Sequence, residues 1–462
     1  MKKVLMIAYS FPPAGGPGVQ RTSKFVKYLS KYGWEPVILT RSDSNIPLRD
    51  DSLFKDIPHD TNIIRTKAWD FSSGKGFIGL FKKFVGRKLL IPDSERLWEI
   101  FSRKEARSII EKHDIRLIYT TSLPYSSHLM GLHLKKRYPH LSWVADFRDE
   151  WTNNPYILDN PYNPVRMKLE KRMEKQVLKT ADCLIANTPV MLKNFIEKNS
   201  DISNIEQKFF VIPNGYDPDD FLCISEIANN VNSNLDNTNI ILEASNCELT
   251  NEIKAAVTDK YHNLKNKRFT IIYTGSFYGR RKPDIFFEAI AKLIAENKIE
   301  RAKINIKLIG NFKIEQIKNL VSRYKLEDVV DVFPYVEHNE CIENMQSADC
   351  LLLIEGIGPG AEAFYTGKVF EYMIAGKPIL AIVPENGAAA QLIRETSTGL
   401  ISDCNDLEAI CKNVEQLYTA WQKGVSIYNP NKEEIKKYDR ANLTCELVKV
   451  FEIASDNDRT IK

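Results

Sequence analysis

Tyr365-Thr-Gly-Lys-Val-Phe-Glu-Tyr-Met-Ile-Ala-Gly-Lys-Pro378 is the stretch on which the fold turns. Gly367 opens a helix, Gly376 ends it, and Pro378 begins the apolar run Pro378–Val383, the punctuation expected where a helix hands over to a strand. The run before it, Cys350–Glu355, is a second short apolar strand. Two buried strands joined through a helix make a parallel crossover. Glu371 lies one turn inside the helix, where it can accept hydrogen bonds from ribose hydroxyls while first-turn amides face a phosphate; a plain helix-surface carboxylate is the other reading.

The alternation continues in both directions from this unit. Upstream in the same half the strand candidates are Phe269–Gly275, Lys303–Gly310 and Val329–Tyr335, and downstream Gly399–Ser402. An earlier set comprises Val4–Ser10, Trp34–Thr40, Ile115–Ser122, Trp143–Phe147, Cys183–Asn187 and Phe209–Pro213, with amphipathic helices such as Val19–Tyr32 and Val165–Lys179 between them. Strands alternating with helices predict an α/β protein with parallel sheets covered on both faces, here two doubly wound domains. The break falls near Asn214–Asp220. The expected organisation is a first domain over 1–215, a second over 216–430 carrying an Asn-rich excursion at 224–266, and a final segment 431–462 whose helical pattern, Lys432–Ile453, packs back on the first domain.

Composition limits what such a protein does. With 462 residues, 43% hydrophobic and 27% charged, the chain is in the ordinary folded range. Its 64 Lys+Arg against 60 Asp+Glu leave a net charge of +4, too small for a dedicated nucleic-acid binder. The eight cysteines (183, 223, 247, 341, 350, 404, 411 and 445) include no C-x-x-C, and the seven histidines are scattered. Reduced thiols in a cytoplasmic protein and no structural zinc are the expectation. The first residues are too short an apolar run for a signal peptide, and no run reaches the ~18 apolar residues of a spanning helix. Residues 74–91 carry five cations, no acid, and apolar Phe77, Ile78, Phe81, Phe84 and Val85. They read either as a contact with an anionic membrane face or as a helix with a wet basic face.

The loops at the strand ends carry the chemistry. Phe11-Pro-Pro-Ala-Gly-Gly-Pro-Gly18 follows the first strand and opens a helix, which lets backbone amides approach a phosphate, although the spacing is neither G-x-G-x-x-G nor a Walker loop. Tyr273-Thr-Gly-Ser-Phe-Tyr-Gly-Arg-Arg-Lys-Pro283 sets three cations after a strand, a clamp for a pyrophosphate or a solvated turn. Asp217-Pro-Asp-Asp220 has D-x-D spacing, but its place at the domain break favours a boundary turn over a metal site.

In combination, Gly15-Gly16-x-Gly18, Val211-Ile-Pro-Asn-Gly-Tyr-Asp217, Tyr273-Thr-Gly275, Asp331-Val-Phe-Pro-Tyr335, Gly367-Lys-Val-Phe-Glu-Tyr372 and Ala375-Gly-Lys-Pro378 resemble glycosyltransferase family four, retaining enzymes of the GT-B fold. The resemblance spans nearly the whole chain. It implies that Gly15 and Gly16 abut the donor diphosphate beside Gly275, that Arg280, Arg281 or Lys282 bind its phosphates, and that Lys368 and Val369 form the turn next to them. It gives Glu371 the ribose, and Tyr335 and Val336 the nucleobase. The family often has a further glutamate separated from the ribose-binding one by seven residues, touching the sugar; this chain has Ala363 there, with Glu362 offset by one and Glu355 further back.

On the acceptor side, Trp143-Val-Ala-Asp-Phe-Arg-Asp-Glu-Trp151 sets Asp146, Arg148 and Asp149 at a strand end, similar to a bacterial surface-polysaccharide subgroup. Asp146 and Asp149 are the catalytic-region candidates, a structural ion pair being the alternative, with His128 ranked below them. The resemblance implies a retaining, metal-independent glycosyltransferase with Arg280 and Arg281 stabilising the leaving phosphate. It uses a UDP- or GDP-sugar as donor substrate, with no cofactor and no nucleic-acid partner. The acceptor is a glycan or lipid-linked intermediate of surface polysaccharide, reached from the cytoplasm or from the inner membrane face. A nucleotide-sugar 2-epimerase of the same fold and a non-catalytic nucleotide-sugar-binding protein are the alternatives.

Overall fold

The computed structural model describes residues 1–46, 49–69, 90–221 and 268–457. The excursion at 224–266 and most of the basic stretch, 74–89, lie outside the described residues. Two parallel sheets organise the rest.

The first contains β1 (Lys2–Ile7), β2 (Trp34–Arg41), β3 (Asn62–Thr66), β4 (Leu117–Thr121), β5 (Ser142–Phe147), β6 (Cys183–Ala186) and β7 (Phe209–Val211), in the order β3-β2-β1-β4-β5-β6-β7. The second contains β8 (Phe269–Thr274), β9 (Ile304–Ile309), β10 (Val330–Phe333), β11 (Cys350–Ile354), β12 (Ile379–Ile382) and β13 (Gly399–Ser402), ordered β10-β9-β8-β11-β12-β13. Each pairing is parallel.

The strand order reverses at β1/β4 in the first sheet and at β8/β11 in the second. Chains leaving adjacent strands there turn to opposite faces and leave a crevice at the carboxyl ends. The loops after β1, β4, β8 and β11 therefore hold the candidate site.

The α/β fold class read from the sequence is the one observed, with corrections at its margins. β3 was not among the strand candidates. It is an edge strand of half-buried residues, Asn-Ile-Ile-Arg-Thr, and lacks the apolar run that burial on both faces demands. Several candidate strands overran their carboxyl ends, as at Pro334–Tyr335 and Ile212–Pro213, because those residues are apolar yet belong to the loops that build the cleft.

Both faces of each sheet are covered. On one face of the first sheet, Val4, Met6, Phe25 and Trp34 pack with Leu443, Leu447, Val450 and Phe451 from the C-terminal helix Arg440–Asn457. Burying four such side chains contributes about 1.5–3 kcal/mol each, so this helix belongs energetically to the first domain although it follows the second in sequence. The chain crosses back where Tyr216 and Asp439 form a bridge, the Tyr216 amide donating to Tyr438 O at 3.0 Å and the Arg440 amide to Tyr216 O at 2.9 Å. A Cβ on Gly215 would stand 2.1 Å from Tyr438 O, which is why glycine precedes Tyr216 at this crossing.

The crossing is locked by charge. Lys24 lies 2.8 Å from Asp56, Asp217 and Asp220, and Lys27 is 2.7 Å from Asp217 and 2.8 Å from Asp219. Burial opposes the Asp217 charge, but Lys24, Lys27 and Tyr28 hold its carboxyl well below the usual range. The three buried carboxylates of Asp56, Asp217 and Asp220 are close enough to hold a cation; the two ammonium groups already do that work.

Candidate active site

The loop after β1 turns at Gly16, whose φ of +102° requires glycine, into the helix Pro17–Leu29. No side chain caps that helix, so its amino-terminal end, following Gly15 and Gly16, is available to an anion. Gly18 permits a close approach by Arg148: a Cβ there would meet the guanidinium at 2.9 Å. Arg148 donates to the carbonyls of Gly18 and Ser122, and to Leu123 O at 3.1 Å. It thus ties the helix start to the loop after β4.

Asp146, expected in the reaction centre, has a different role. It is 0% exposed and receives two bonds of 2.8 Å from Arg21, one of 3.1 Å from Thr121 and one from the Tyr119 hydroxyl. Both carboxylate oxygens are engaged, three of the bonds falling on Oδ2 and one on Oδ1. Arg21 also donates to Ile212 O at 2.9 Å and Pro213 O at 2.8 Å, joining β5 to the end of the domain. Burial raises the cost of the Asp146 charge, yet Arg21 keeps the carboxyl below its ordinary value. The geometry supports the ion-pair reading.

Asp149 is only partly buried and makes no hydrogen bond or ion pair among the described residues. Burial moves its carboxyl up, with Arg148 and Arg281 pulling the other way. It is therefore an acid in the field of an arginine from each domain. His128 is fully buried, bonded through Nδ1 to Thr120 Oγ1 at 2.8 Å, and burial drives it down to about 3; it is a neutral core histidine.

Across the cleft, Gly275 has a φ of +114°, and a Cβ there would lie 2.7 Å from Lys368 Nζ. Lys368 donates to Thr274 O and sits 3.9 Å above the Tyr273 ring. Burial, with Arg281 nearby, brings its ammonium down to about 7. Arg281 is buried, donates to the Tyr278 hydroxyl at 2.8 Å and faces the Phe364 ring at 5.2 Å. Arg280 instead reaches the first domain, donating to Asp159 at 2.7 Å and to Pro359 O at 2.9 Å. Lys282 is exposed and unpaired among the described residues. The three neighbouring cations thus diverge: Arg280 and Arg281 line one interdomain cavity, Arg280 held by Asp159 and Arg281 lying near Lys368, while Lys282 faces solvent.

Glu371 is on the helix Lys368–Ile374, where Val369 is wholly buried and offers only its backbone. The Glu371 carboxylate accepts from His338 Nε2 at 2.8 Å and from Gln20 Nε2 of the first domain at 3.3 Å. Burial opposes the charge, but His338 holds the carboxyl below its usual range, and Glu371 in turn raises His338. Tyr335, at the mouth of the cleft, donates to Asp50 Oδ2 at 3.3 Å, while Val336 packs on the second core. Gln20 and His338 were missed in the sequence because each stands alone there; only the fold puts both on Glu371.

Ala363 sits in the core of the first domain, its carbonyl accepting from Thr188 Oγ1 at 2.8 Å. Tyr365 nearby donates to Asn187 O at 2.7 Å. A carboxylate at 363 would be driven into that apolar contact, which accounts for alanine there. Glu362 is exposed. Glu355 is the buried acid of this loop.

Two doubly wound domains with their switch points opposed, one offering an open helix end and the other cations and a carboxylate, define a GT-B glycosyltransferase. Residues 18–220 match the model for Glycosyltransferase Family 4, and residues 256–437 that for Glycosyl transferases group 1. The chain belongs to this family of glycosyltransferases.

No curated protein matches it in sequence. Solved structures share the fold at low identity. A sucrose-phosphate synthase from Thermosynechococcus elongatus is 15% identical, with 98% of each chain covered and a TM-score of 0.64. WaaG, a glycosyltransferase involved in lipopolysaccharide biosynthesis, is 14% identical over 99% of each chain, with a TM-score of 0.54. A trehalose-6-phosphate protein from E. coli bound with UDP-2-fluoro glucose is 12% identical over 100% of this chain and 98% of its own, with a TM-score of 0.57.

Proposed function

We propose that this glycosyltransferase moves a sugar, with retention and without a metal, from a UDP- or GDP-sugar to a glycan or lipid-linked acceptor of surface polysaccharide. The observation that carries the reading is the convergence on one cleft of Glu371, Lys368 and Arg281 from the second domain with the uncapped helix start behind Gly15 and Gly16 from the first. Glu371 takes ribose hydroxyls, the cations and helix end take the diphosphate, and Tyr335 lies against the base. The UDP-2-fluoro glucose held by a protein of the same fold supports a nucleotide sugar as ligand.

In the transfer, the acceptor oxygen bonds to the anomeric carbon on the face from which the diphosphate departs. The bond from that carbon to the phosphate oxygen breaks, and the acceptor proton passes to the leaving phosphate. Arg281 and Lys368 stabilise the charge that develops on it, a role that preorganised donors fill best in a dry cleft. The Arg280–Asp159 pair must open before Arg280 can join them. Asp149 accepts a hydrogen bond from a hydroxyl of the acceptor, and Asp146 fixes Arg21 and the strand end beneath it. The carboxylates near the domain crossing are engaged by Lys24 and Lys27, and in this reading the cations that act on the diphosphate are Arg281 and Lys368.

No helix among the described residues is long and apolar enough to cross a membrane. The reading takes the protein to work in the cytoplasm, and the basic stretch 74–91 gives it a peripheral contact with the inner membrane face. The test is nucleotide release from a panel of UDP-, GDP- and ADP-sugars in EDTA, with and without membrane extract. Acceptor-dependent release from one donor, lost in Glu371→Ala and Arg281→Ala, is expected. Interconversion of the sugar with no acceptor, or binding without release, would overturn the reading.

A further inference from the structure

One short helix of the first domain, Pro155–Asp159, meets the loops after β8 and β11 of the second. Its start is fixed by the Asn154 side chain, which accepts from the Tyr156 amide at 3.0 Å. At its end the Asp159 carboxylate grips the Arg280 guanidinium with both oxygens, Nε donating to Oδ2 at 2.7 Å and Nη2 to Oδ1, while Nη1 donates to Pro359 O at 2.9 Å. Between them Tyr156 stacks on Tyr278, with ring centroids 5.9 Å apart. Glycines make room for this approach: a Cβ on Gly279 would meet the Tyr156 ring at 3.2 Å, and one on Gly360 the Asn153 carbonyl at 3.0 Å. The helix also closes the pocket in which Arg281 lies. Tyr156 and Asp159 on one side and Tyr278, Arg280, Arg281 and Glu355 on the other enclose about 40 Å³, room for a few waters and far below the roughly 300–1,000 Å³ of a ligand pocket.

First-domain side chains thus meet second-domain binding groups with the polarity of the proposed ligand. Asp159 gives Arg280 an anion, as a phosphate would, and Gln20 gives Glu371 an N–H donor at 3.3 Å, as a ribose hydroxyl would. We infer that the helix Pro155–Asp159 is a clasp worked by charge: Asp159 holds Arg280 and keeps the pocket shut, and a nucleoside diphosphate releases the clasp by taking Arg280 for itself. The inference rests on the nucleotide-sugar reading of the cleft and adds how the ligand gains entry to it. A diphosphate carries more charge than a single carboxylate and presents the same paired oxygens to the guanidinium. Once Asp159 is displaced, the Tyr156 stack is the main contact left to the helix, which can then lift and enlarge the pocket. Both ends of the ion pair keep some exposure, so opening it lowers the apparent affinity for the diphosphate by a small factor, not by orders of magnitude.

The test compares the full chain with its Asp159→Asn variant, which keeps the side-chain shape at an exposed position and removes the charge. Both are titrated calorimetrically with UDP and GDP, and hydrogen exchange of residues 156–160 is followed by mass spectrometry with and without the nucleotide that binds. Asp159→Asn should bind that nucleotide about two- to fivefold tighter than wild type, the range for an exposed ion pair. Adding Arg280→Ala to each protein should abolish the difference between them. In wild type the exchange of 156–160 should speed up on nucleotide binding, the reverse of the usual protection, and in Asp159→Asn it should be fast from the start. Unchanged or weaker nucleotide affinity in Asp159→Asn, or slower exchange of this segment on binding, would overturn the clasp. A wild type that binds neither nucleotide would overturn the reading of the cleft on which it rests.

Discussion

Replacing Asp146 by asparagine separates a structural acid from a catalytic one. The substitution keeps the side-chain shape but turns one acceptor into an NH2 group facing the Arg21 guanidinium, which is itself 0% exposed. Breaking a buried pair by removing one partner costs about 3–5 kcal/mol. In a domain of 150–250 residues each kcal/mol moves the midpoint by about 2–4 °C, so the first domain should unfold roughly 6–20 °C lower. Differential scanning calorimetry reads the shift, and nucleotide release at 10 °C reads the turnover of the protein that remains folded. The expected outcome is a large fall in Tm with kcat reduced by less than about tenfold. An unchanged Tm with activity lost a thousandfold would refute the reasoning and return Asp146 to the reaction centre. The double variant Arg21→Met/Asp146→Leu should recover only part of the lost stability: apolar replacements of a buried pair are often neutral, but these leave the Ile212 and Pro213 carbonyls and the Tyr119 and Thr121 hydroxyls without their partners.

Three further outcomes follow from the geometry. Glu371→Gln should weaken nucleotide binding by about tenfold or more, measured by calorimetry, because it loses a charged acceptor to the ribose. The His338–Glu371 contact is pH-dependent: His338 is raised on folding, so its contribution is full below about 6.5 and disappears as pH climbs through the raised folded value. The Tm deficit of His338→Gln should accordingly be larger at pH 6 than at pH 9. Gly215→Ala places a Cβ against Tyr438 O and should cost about 1–3 kcal/mol in urea unfolding through displacement of the chain crossing.

The parallel sheets were legible because strands buried on both faces must be apolar through their whole length, as in Cys-Leu-Leu-Leu-Ile at β11. The edge strand Asn62–Thr66 escaped for the opposite reason. The site was legible as a set of loops but less so as a set of contacts. Gly16, Gly275 and Glu371 announce themselves through local turn and helix chemistry. The partner of each charge is decided by the fold: Arg21, fourteen positions beyond the end of β1 in no recognisable motif, captures Asp146, and Asp159 captures Arg280 across the cleft. Asp-Phe-Arg-Asp looks alike whether its first acid is buried or open. The departure at Ala363 could be read from the sequence, but its cause, the docking of that segment on the helix Pro189–Lys198, could not.

A structure of the protein with UDP or GDP bound tests the central claim most directly. The account predicts ribose hydroxyls within hydrogen-bond distance of the Glu371 carboxylate and the diphosphate between Arg281, Lys368 and the helix start after Gly16. A nucleotide seated elsewhere, or one whose phosphates touch neither cation, would contradict it.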